Sequence, residues 1–92
     1  GVSIRILSPA EAVGDYEVYD LRFAAEGVLD SEPHTAGCRE HLTVIEGQVR
    51  VVSGEETQVL AVGDTARYRA DRSHLIAAEG GAARALLIVQ DS

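Results

Sequence analysis

Short stretches of alternating apolar and polar residues make up most of the chain, the period-two pattern typical of strands that bury one face. Apolar spacing of the helical kind is nearly absent, and only Pro9–Val13 could form about one helical turn. The pattern predicts strands at Ile4–Leu7, Tyr16–Phe23, Gly27–Leu29, Leu42–Ile45, Gln48–Val52, Gln58–Leu60, Thr65–Tyr68, His74–Ala78 and Ala83–Val89.

Turn-forming residues separate these strands. They are Glu46-Gly47, Ser53–Glu56, Gly63-Asp64, Asp71–Ser73 and Gly80-Gly81. Two hairpins are predicted, Leu42–Ile45 with Gln48–Val52 and Gln48–Val52 with Gln58–Leu60, and Gly80-Gly81 is a further hairpin signal. Many short strands in one domain predict an antiparallel β-barrel of two sheets, since closure removes exposed strand edges.

The alternation also assigns faces to the polar residues within the strands. Glu40 shares a face with Leu42 and Val44, whereas His41 lies on the opposite face. In a later strand His74 shares its face with an isoleucine two residues on. We therefore predict that Glu40 and His74 point into the barrel and that His41 points out of it.

Composition limits the range of functions. The 92 residues allow one domain, residues 1–92, with a modest core. Fifteen acidic residues against eight arginines give a net charge of −7, so the segment is not expected to bind nucleic acid itself. No apolar run is long enough to span a bilayer, which leads us to expect a cytoplasmic protein without membrane contact. The single cysteine, Cys38, excludes an internal disulfide and agrees with a reducing compartment.

The chain contains no methionine and begins with Gly1-Val2-Ser3. A complete translated chain begins with methionine, although processing can remove it. We therefore expect a piece of a longer protein in which an N-terminal partner domain precedes residues 1–92.

At the polar positions the chain resembles the cupin superfamily. His34 falls at the first histidine of that family's first motif, Glu40 at its glutamate and Gly47 at its closing glycine. Gly63 and His74 reproduce the glycine-to-histidine interval of the second motif. The resemblance covers about residues 21–89. It implies an all-β fold, the cupin-type double-stranded β-helix, which is a jelly-roll-like antiparallel barrel.

Four positions depart from the family pattern. Ala36 stands where the motif has its second histidine, and Ala78 replaces the closing asparagine. Arg69 and Asp71 replace a proline and a glycine of the second motif. Three of the family's four metal ligands therefore remain.

The resemblance implies a metal site made of His34, Glu40 and His74. Two imidazoles and one carboxylate suffice for a facial triad on iron, manganese, nickel or zinc, with open positions for water or substrate. A bulge at Gly37 would turn His34 and Glu40 toward one point. Cys38 is a weaker ligand candidate beyond that glycine.

An alternative interpretation needs no metal. His34 would cap a turn, His74 would be a hydrogen-bonded pocket residue, and Glu40 would pair with an arginine, since a buried carboxylate needs a partner. The arginine candidates are Arg39, Arg67 and Arg69. Asp64 is expected to be a turn former whose carboxylate accepts hydrogen bonds from backbone amides.

Within the superfamily, Pro33–Gly47 with Gly63-Asp64 and Asp71–His74 is most similar to the C-terminal cupin domain of Xre-type helix-turn-helix regulators. That resemblance implies a small-molecule sensor and homodimerisation domain, with DNA contacted only by an N-terminal domain. The expected ligand-binding residues are His34, Glu40, Tyr68 and His74.

Two other functions stay open at the level of the sequence. One is a free-standing metal-dependent cupin enzyme, such as a dioxygenase or isomerase, acting on a small polar metabolite. The other is a structural dimerisation module with a vestigial pocket. An open cavity with polar groups would favour a ligand, and a pocket filled by apolar side chains would favour the structural module.

Overall fold

Nine β-strands follow one another in the computed structural model, which describes residues 1–9 and 16–90. The strands are β1 Val2–Ile6, β2 Tyr16–Phe23, β3 Val28–Ser31, β4 Arg39–Glu46, β5 Gln48–Ser53, β6 Glu56–Ala61, β7 Thr65–Arg69, β8 His74–Ala78 and β9 Ala83–Gln90. The described residues include no helix, so none could cross a membrane in helical form. The all-β prediction is confirmed. The helical turn considered at Pro9–Val13 lies, apart from Pro9, outside the described residues.

The strands form two antiparallel sheets. The larger sheet has the order β1-β2-β9-β4-β7, and the smaller one has the order β3-β8-β5-β6. The chain crosses from one sheet to the other at most of its connections. Among consecutive strands, only β1 with β2 and β5 with β6 are hydrogen-bonded to each other. This alternation between sheets is the jelly-roll arrangement of the cupin barrel.

Two of the predicted hairpins are wrong for this reason. β4 and β5 belong to different sheets, so Gly47 lies at a corner of the barrel instead of in a hairpin turn. Its φ of 73° suits glycine, and a Cβ there would run into the carbonyl oxygen of Ala82. Gly80-Gly81 likewise joins β8 and β9 of opposite sheets. The β5–β6 hairpin is confirmed.

The inner faces of the two sheets form the core. Its buried members are Leu21, Phe23, Leu42, Val44, Val49, Val51, Leu60, Ala66, Tyr68, Ile76, Ala83, Ala85 and Leu87. Along β4 burial alternates strictly from Arg39 to Val44, with Glu40, Leu42 and Val44 inside. His41 lies on the outer face, where its Nε2 is 3.3 Å from the Gln90 Oε1 atom. The predicted faces of Glu40, His74 and His41 are therefore confirmed.

Each sheet keeps two edge strands, which border the two seams of the barrel in pairs. At one seam β1 of the larger sheet and β3 of the smaller sheet line a common cavity, and at the other β7 contacts β6. Open edges are the places where backbone and side chains accept partners or ligands. Both cavities described below are located at these seams.

Candidate functional site

A turn before β4 places His34 at the mouth of the barrel. The Cys38 N–H donates to the Thr35 carbonyl at 3.0 Å, and Gly37 has a φ of 85°, the conformation that favours glycine in such a turn. The His34 N–H donates to the Ala70 carbonyl at 2.8 Å, which ties this segment to the loop after β7. The predicted bulge at Gly37 is therefore a turn that precedes the strand.

Glu40 is the centre of the site. The hydroxyl of Tyr68, its register partner on β7, donates to Oε1 at 2.6 Å. Nε2 of His34 and Nε2 of His74 each lie 3.2 Å from Oε2. The three predicted ligands thus come together although they lie on three separate segments. The prediction that an arginine pairs with Glu40 is wrong, since no arginine among the described residues contacts this carboxylate.

Burial differs sharply within this group. The side chains of Glu40 and His74 are 3% and 1% exposed, while that of His34 is 41% exposed. The His34 and His74 rings meet edge to face with centroids 5.0 Å apart. Burial and the neighbouring Glu40 carboxylate raise the pKa of Tyr68 above its ordinary value, so its hydroxyl stays protonated and donates.

The tautomer of His74 follows from its second nitrogen. Nδ1 lies 2.7 Å from the carbonyl oxygen of Arg72, which can only accept, so Nδ1 carries a proton. In a neutral His74 ring Nε2 then presents a lone pair to the lone pairs of Glu40 Oε2 at 3.2 Å. That contact is repulsive unless a positive charge is shared between the two atoms. A proton on either atom or a metal ion supplies it.

The donor set fits a metal ion. One ligand atom from each of His34, Glu40 and His74 lies within 4.8 Å of the others, and the described residues contain no further such group. Atoms bound to one ion at about 2.1 Å stand about 3–3.5 Å apart. Each histidine Nε2 already has that separation from Glu40 Oε2, so only the two histidine rings must approach each other. The exposed His34 ring has room for that movement. Cys38 is buried and is not a member of the group.

A cavity of about 410 Å³ opens beside this group at the seam between β1 and β3. His34 and Glu40 form part of its wall, whereas Tyr68 and His74 stand behind Glu40 and do not line it. The other lining residues are Ile4, Glu17, Tyr19, Leu21, Leu29, Ser31, Thr35, Leu87 and Val89. The cavity is open and partly polar, which speaks against a pocket filled by apolar side chains.

Glu17 and Tyr19 are pocket residues that the sequence analysis missed. They alternate with outward residues along β2 and share a face with Leu21, so the period-two pattern already contained the signal. Burial, with the adjacent Glu17 carboxylate, raises the pKa of Tyr19. The polar part of the cavity wall therefore includes two carboxylates and a tyrosine hydroxyl, beside His34, Ser31 and Thr35.

Asp71 joins the two loops that carry the histidines. Its Oδ2 accepts the Gly37 N–H at 2.9 Å and its Oδ1 accepts from Nε of Arg69 at 2.9 Å. These contacts, the arginine first, lower the pKa of Asp71 to about 2. Sequence analysis treated this residue only as part of a turn. Asp64 is a turn former as predicted, since its Oδ2 accepts the Ala61 N–H at 2.9 Å.

We predict that Asp71 makes stability depend on acid pH. Its folded pKa of about 2 lies below the ordinary value of 3.8, so its contribution is complete above about pH 4 and disappears as the pH falls toward 2. Urea unfolding should show Asp71→Asn less stable than wild type at pH 6 and nearly equal to it at pH 2. The exposed Asp30→Asn serves as the charge-matched control. A difference for Asp71→Asn that does not change with pH would contradict the assignment.

Comparison with known proteins agrees with the fold. Residues 21–89 match the family model of the cupin domain, Cupin_2. The HTH-type transcriptional regulator SutR of Escherichia coli (strain K12) is 33% identical over 60 residues, which are 65% of this chain and 34% of SutR.

Two solved structures are similar over nearly the whole chain. The HTH_3 family transcriptional regulator from Vibrio cholerae superposes with a TM-score of 0.90 and 27% identity, covering 99% of this chain and 51% of that one. The Cupin_2 domain of an XRE family transcriptional regulator from Enterobacter cloacae gives a TM-score of 0.88 and 20% identity, covering 99% and 97%. This chain spans about a third of SutR and about half of the Vibrio cholerae regulator.

The family model matches most of the chain, and the barrel brings together the residues at which the two motifs match. The related regulators contain a domain of the same fold. The chain therefore belongs to the Cupin_2 family and is related to the cupin domains of helix-turn-helix transcriptional regulators.

Proposed function

We propose that this chain is the ligand-sensing and dimerisation domain of a cytoplasmic transcriptional regulator. Its relationship to SutR and to the Vibrio cholerae regulator supports the role. The chain spans only part of both proteins, so we assign operator binding to an N-terminal domain outside residues 1–92. The net charge of −7 supports this division, because an acidic segment repels phosphate.

The observation that carries the sensing role is the contact of Glu40 Oε2 with both histidine Nε2 atoms, since Glu40 and His34 lie in the wall of an open cavity. Cupin domains often bind metals, and His34, Glu40 and His74 would hold one here. The ion would supply a positive charge that an oxygen or nitrogen atom of the effector can approach. His34 and Glu40 would orient the effector within the cavity, with Tyr68 and His74 holding Glu40 in place.

The position of the cavity indicates how a bound effector could change the surface of the protein. Ile4 of β1 and Leu29 of β3 line it, and each of these strands is the edge of its sheet. An effector in the cavity therefore contacts both edges at once. A ligand shifts a conformational equilibrium only if it contacts the two conformations differently. Conformations that differ in the spacing of β1 and β3 would offer different contacts to a ligand held between them.

The proposal is tested on the full-length protein. We expect a helix-turn-helix reading frame directly upstream of Val2 in the encoding gene. Operator affinity of that protein should change when a chelator removes divalent metal and recover when zinc or manganese is restored. Glu40→Gln should bind the operator with an affinity that metal does not alter. An upstream frame without a DNA-binding domain would refute the regulator function.

We also predict a homodimer through β1. Ile6 is 50% exposed on this edge strand, next to Leu7 at 48%, and a second copy would cover them. Sedimentation at tens of micromolar should show a dimer for the wild type and a monomer for Ile6→Asp. Val59→Asp is the matched control, because Val59 is 56% exposed on the edge strand of the other sheet. A wild-type monomer at that concentration would exclude this interface.

A second candidate function is a metal-dependent cupin enzyme acting on a small polar metabolite. The observation in its favour is Glu17, a carboxylate in the same cavity as the exposed face of His34 that is not part of the metal set. It would stand as a general base beside a substrate on the ion. Turnover of a candidate metabolite with iron(II) or manganese(II), lost in Glu17→Gln, would favour the enzyme over the sensor.

A further inference from the structure

Half of the chain's eight arginines line one cleft of about 290 Å³. We call it the arginine cleft, and it is lined by Arg39, Arg67, Arg69, Arg72, Glu56 and Tyr68. It opens at the seam between β7 and β6, away from the cavity at β1 and β3. Four guanidinium groups against one carboxylate make its wall cationic on a chain of net charge −7.

Strand register brings three of these arginines together. Arg39 of β4 and Arg69 of β7 are direct cross-strand partners, and Arg67 lies two residues before Arg69 on the same outer face of β7. Like charges directly opposite each other in a sheet are destabilising. The pairing of Arg39 with Arg69 therefore does not stabilise the sheet electrostatically, and stability does not explain the position of these arginines.

Arg72 closes the cleft from the loop between β7 and β8, and it is held in place. Its Nε donates to Ser53 Oγ at 2.9 Å and its Nη2 donates to Glu56 Oε1 at 2.6 Å. Gly54 packs against it so closely that a Cβ would meet the guanidinium carbon at 3.1 Å. The side chain is only 30% exposed. This wall of the cleft is therefore preorganised, which lowers the entropic cost of binding.

The positive charge of the cleft is only partly balanced. Arg69 pairs with Asp71 at 2.9 Å and Arg72 pairs with Glu56 at 2.6 Å. Within residues 1–9 and 16–90, Arg39 and Arg67 have no carboxylate within ion-pair distance. Two uncompensated guanidinium groups on neighbouring strands thus face the same concave space.

We propose that the arginine cleft binds a small oxyanion bearing phosphate or carboxylate groups. Guanidinium groups bind both oxyanions through paired, charge-assisted hydrogen bonds, and several converging on one point favour a polyvalent anion. The concave shape and the volume of about 290 Å³ fit a small molecule. The chain as a whole has a net charge of −7, which disfavours the long polyanion of a nucleic-acid strand.

This site is separate from the metal group, but one residue of the cleft contacts that group. Tyr68 lines the arginine cleft while its hydroxyl donates to Glu40 Oε1 at 2.6 Å. The metal group itself, His34, Glu40 and His74, does not line the cleft. Anion binding in the cleft can therefore be measured without metal, and independently of the sensing function.

The test is calorimetric titration of the metal-free chain with inorganic phosphate, sulfate and succinate at constant ionic strength set with sodium chloride. We expect saturable binding in the wild type, at least about tenfold weaker binding in Arg67→Gln and in Arg39→Gln, and none detectable in the double variant. Arg5→Gln is the matched control, because Arg5 is exposed on β1 and lies outside the cleft. It should stay within about twofold of wild type.

Whichever of phosphate and succinate binds with the higher affinity identifies the class of oxyanion. Glu40→Gln should retain phosphate binding, which separates the arginine cleft from phosphate held on a metal at the histidine site. Far-ultraviolet circular dichroism checks that each variant is folded. Absence of saturation with all three anions would overturn the proposal, as would equal weakening by Arg5→Gln. So would a loss of dimer in Arg67→Gln without anion binding by the wild type, since the cleft would then bind a second copy.

Discussion

Glu40→Gln should abolish divalent metal binding while the barrel stays folded. Glu40 is the negatively charged ligand of the group, and both histidine nitrogens lie 3.2 Å from its Oε2 atom. Glutamine keeps the volume and still accepts the Tyr68 hydroxyl, but it has no charge to offset that of the ion. We expect the affinities for zinc, nickel and manganese to fall by at least about 100-fold in calorimetric titration.

The complementary variant is Ala36→His. Ala36 stands at the position of the family's second histidine, in the exposed turn before β4. A fourth ligand should tighten metal binding by about tenfold or more, because three ligands leave positions of the ion to solvent. His41→Ala is the control, since it removes an imidazole from the outer face. If neither the wild type nor Ala36→His shows binding heat with any of the three metals, the three-ligand site is excluded.

Leu42→Ala should destabilise the domain more than any other change proposed here. Leu42 is fully buried on β4, two residues from Glu40, at the centre of the core. Removing its side chain leaves a cavity between the two sheets, and such truncations cost about 2–5 kcal/mol. The whole domain is expected to be stable by roughly 5–14 kcal/mol. Urea unfolding should therefore show a clearly lower midpoint with an unchanged slope.

Ile45→Ala provides the comparison on the same strand. Ile45 is 37% exposed and does not belong to the buried core cluster. We expect it to lower the free energy of unfolding by less than about 1 kcal/mol. Comparable losses for Ile45→Ala and Leu42→Ala would mean that the outer face of β4 is also buried, as it would be under a partner subunit.

Local pattern was sufficient for the strands and their faces. The alternation around Glu40 and around His74 predicted which side chains enter the barrel, and the predicted bounds of β2 and β8 agree with the structure. The reason is that period-two burial is a property of a few consecutive residues. The same information could have shown Glu17 and Tyr19 as pocket residues, because they share the inward face of Leu21.

Local pattern did not predict which strands pair with each other. Gly47 and Gly80 indicate that the chain bends, but a bend into the opposite sheet and a hairpin within one sheet require the same residue type. Sheet membership depends on contacts between residues far apart in the chain. Two hairpin predictions failed for that reason, whereas the β5–β6 hairpin was right because its two strands pair locally.

Local sequence pattern was enough to predict the all-β class, the inward direction of Glu40 and His74, and the relationship to the cupins. The contacts that these side chains make could be seen only in the folded chain. The tertiary structure selected Tyr68 and two histidines over an arginine as the partners of Glu40, and it assembled the arginine cleft from three separate segments. Alternation of apolar and polar residues shows which face of a strand is buried, because burial follows the period of the strand. Charge pairing depends on distances between side chains, and these are set only when the two sheets come together.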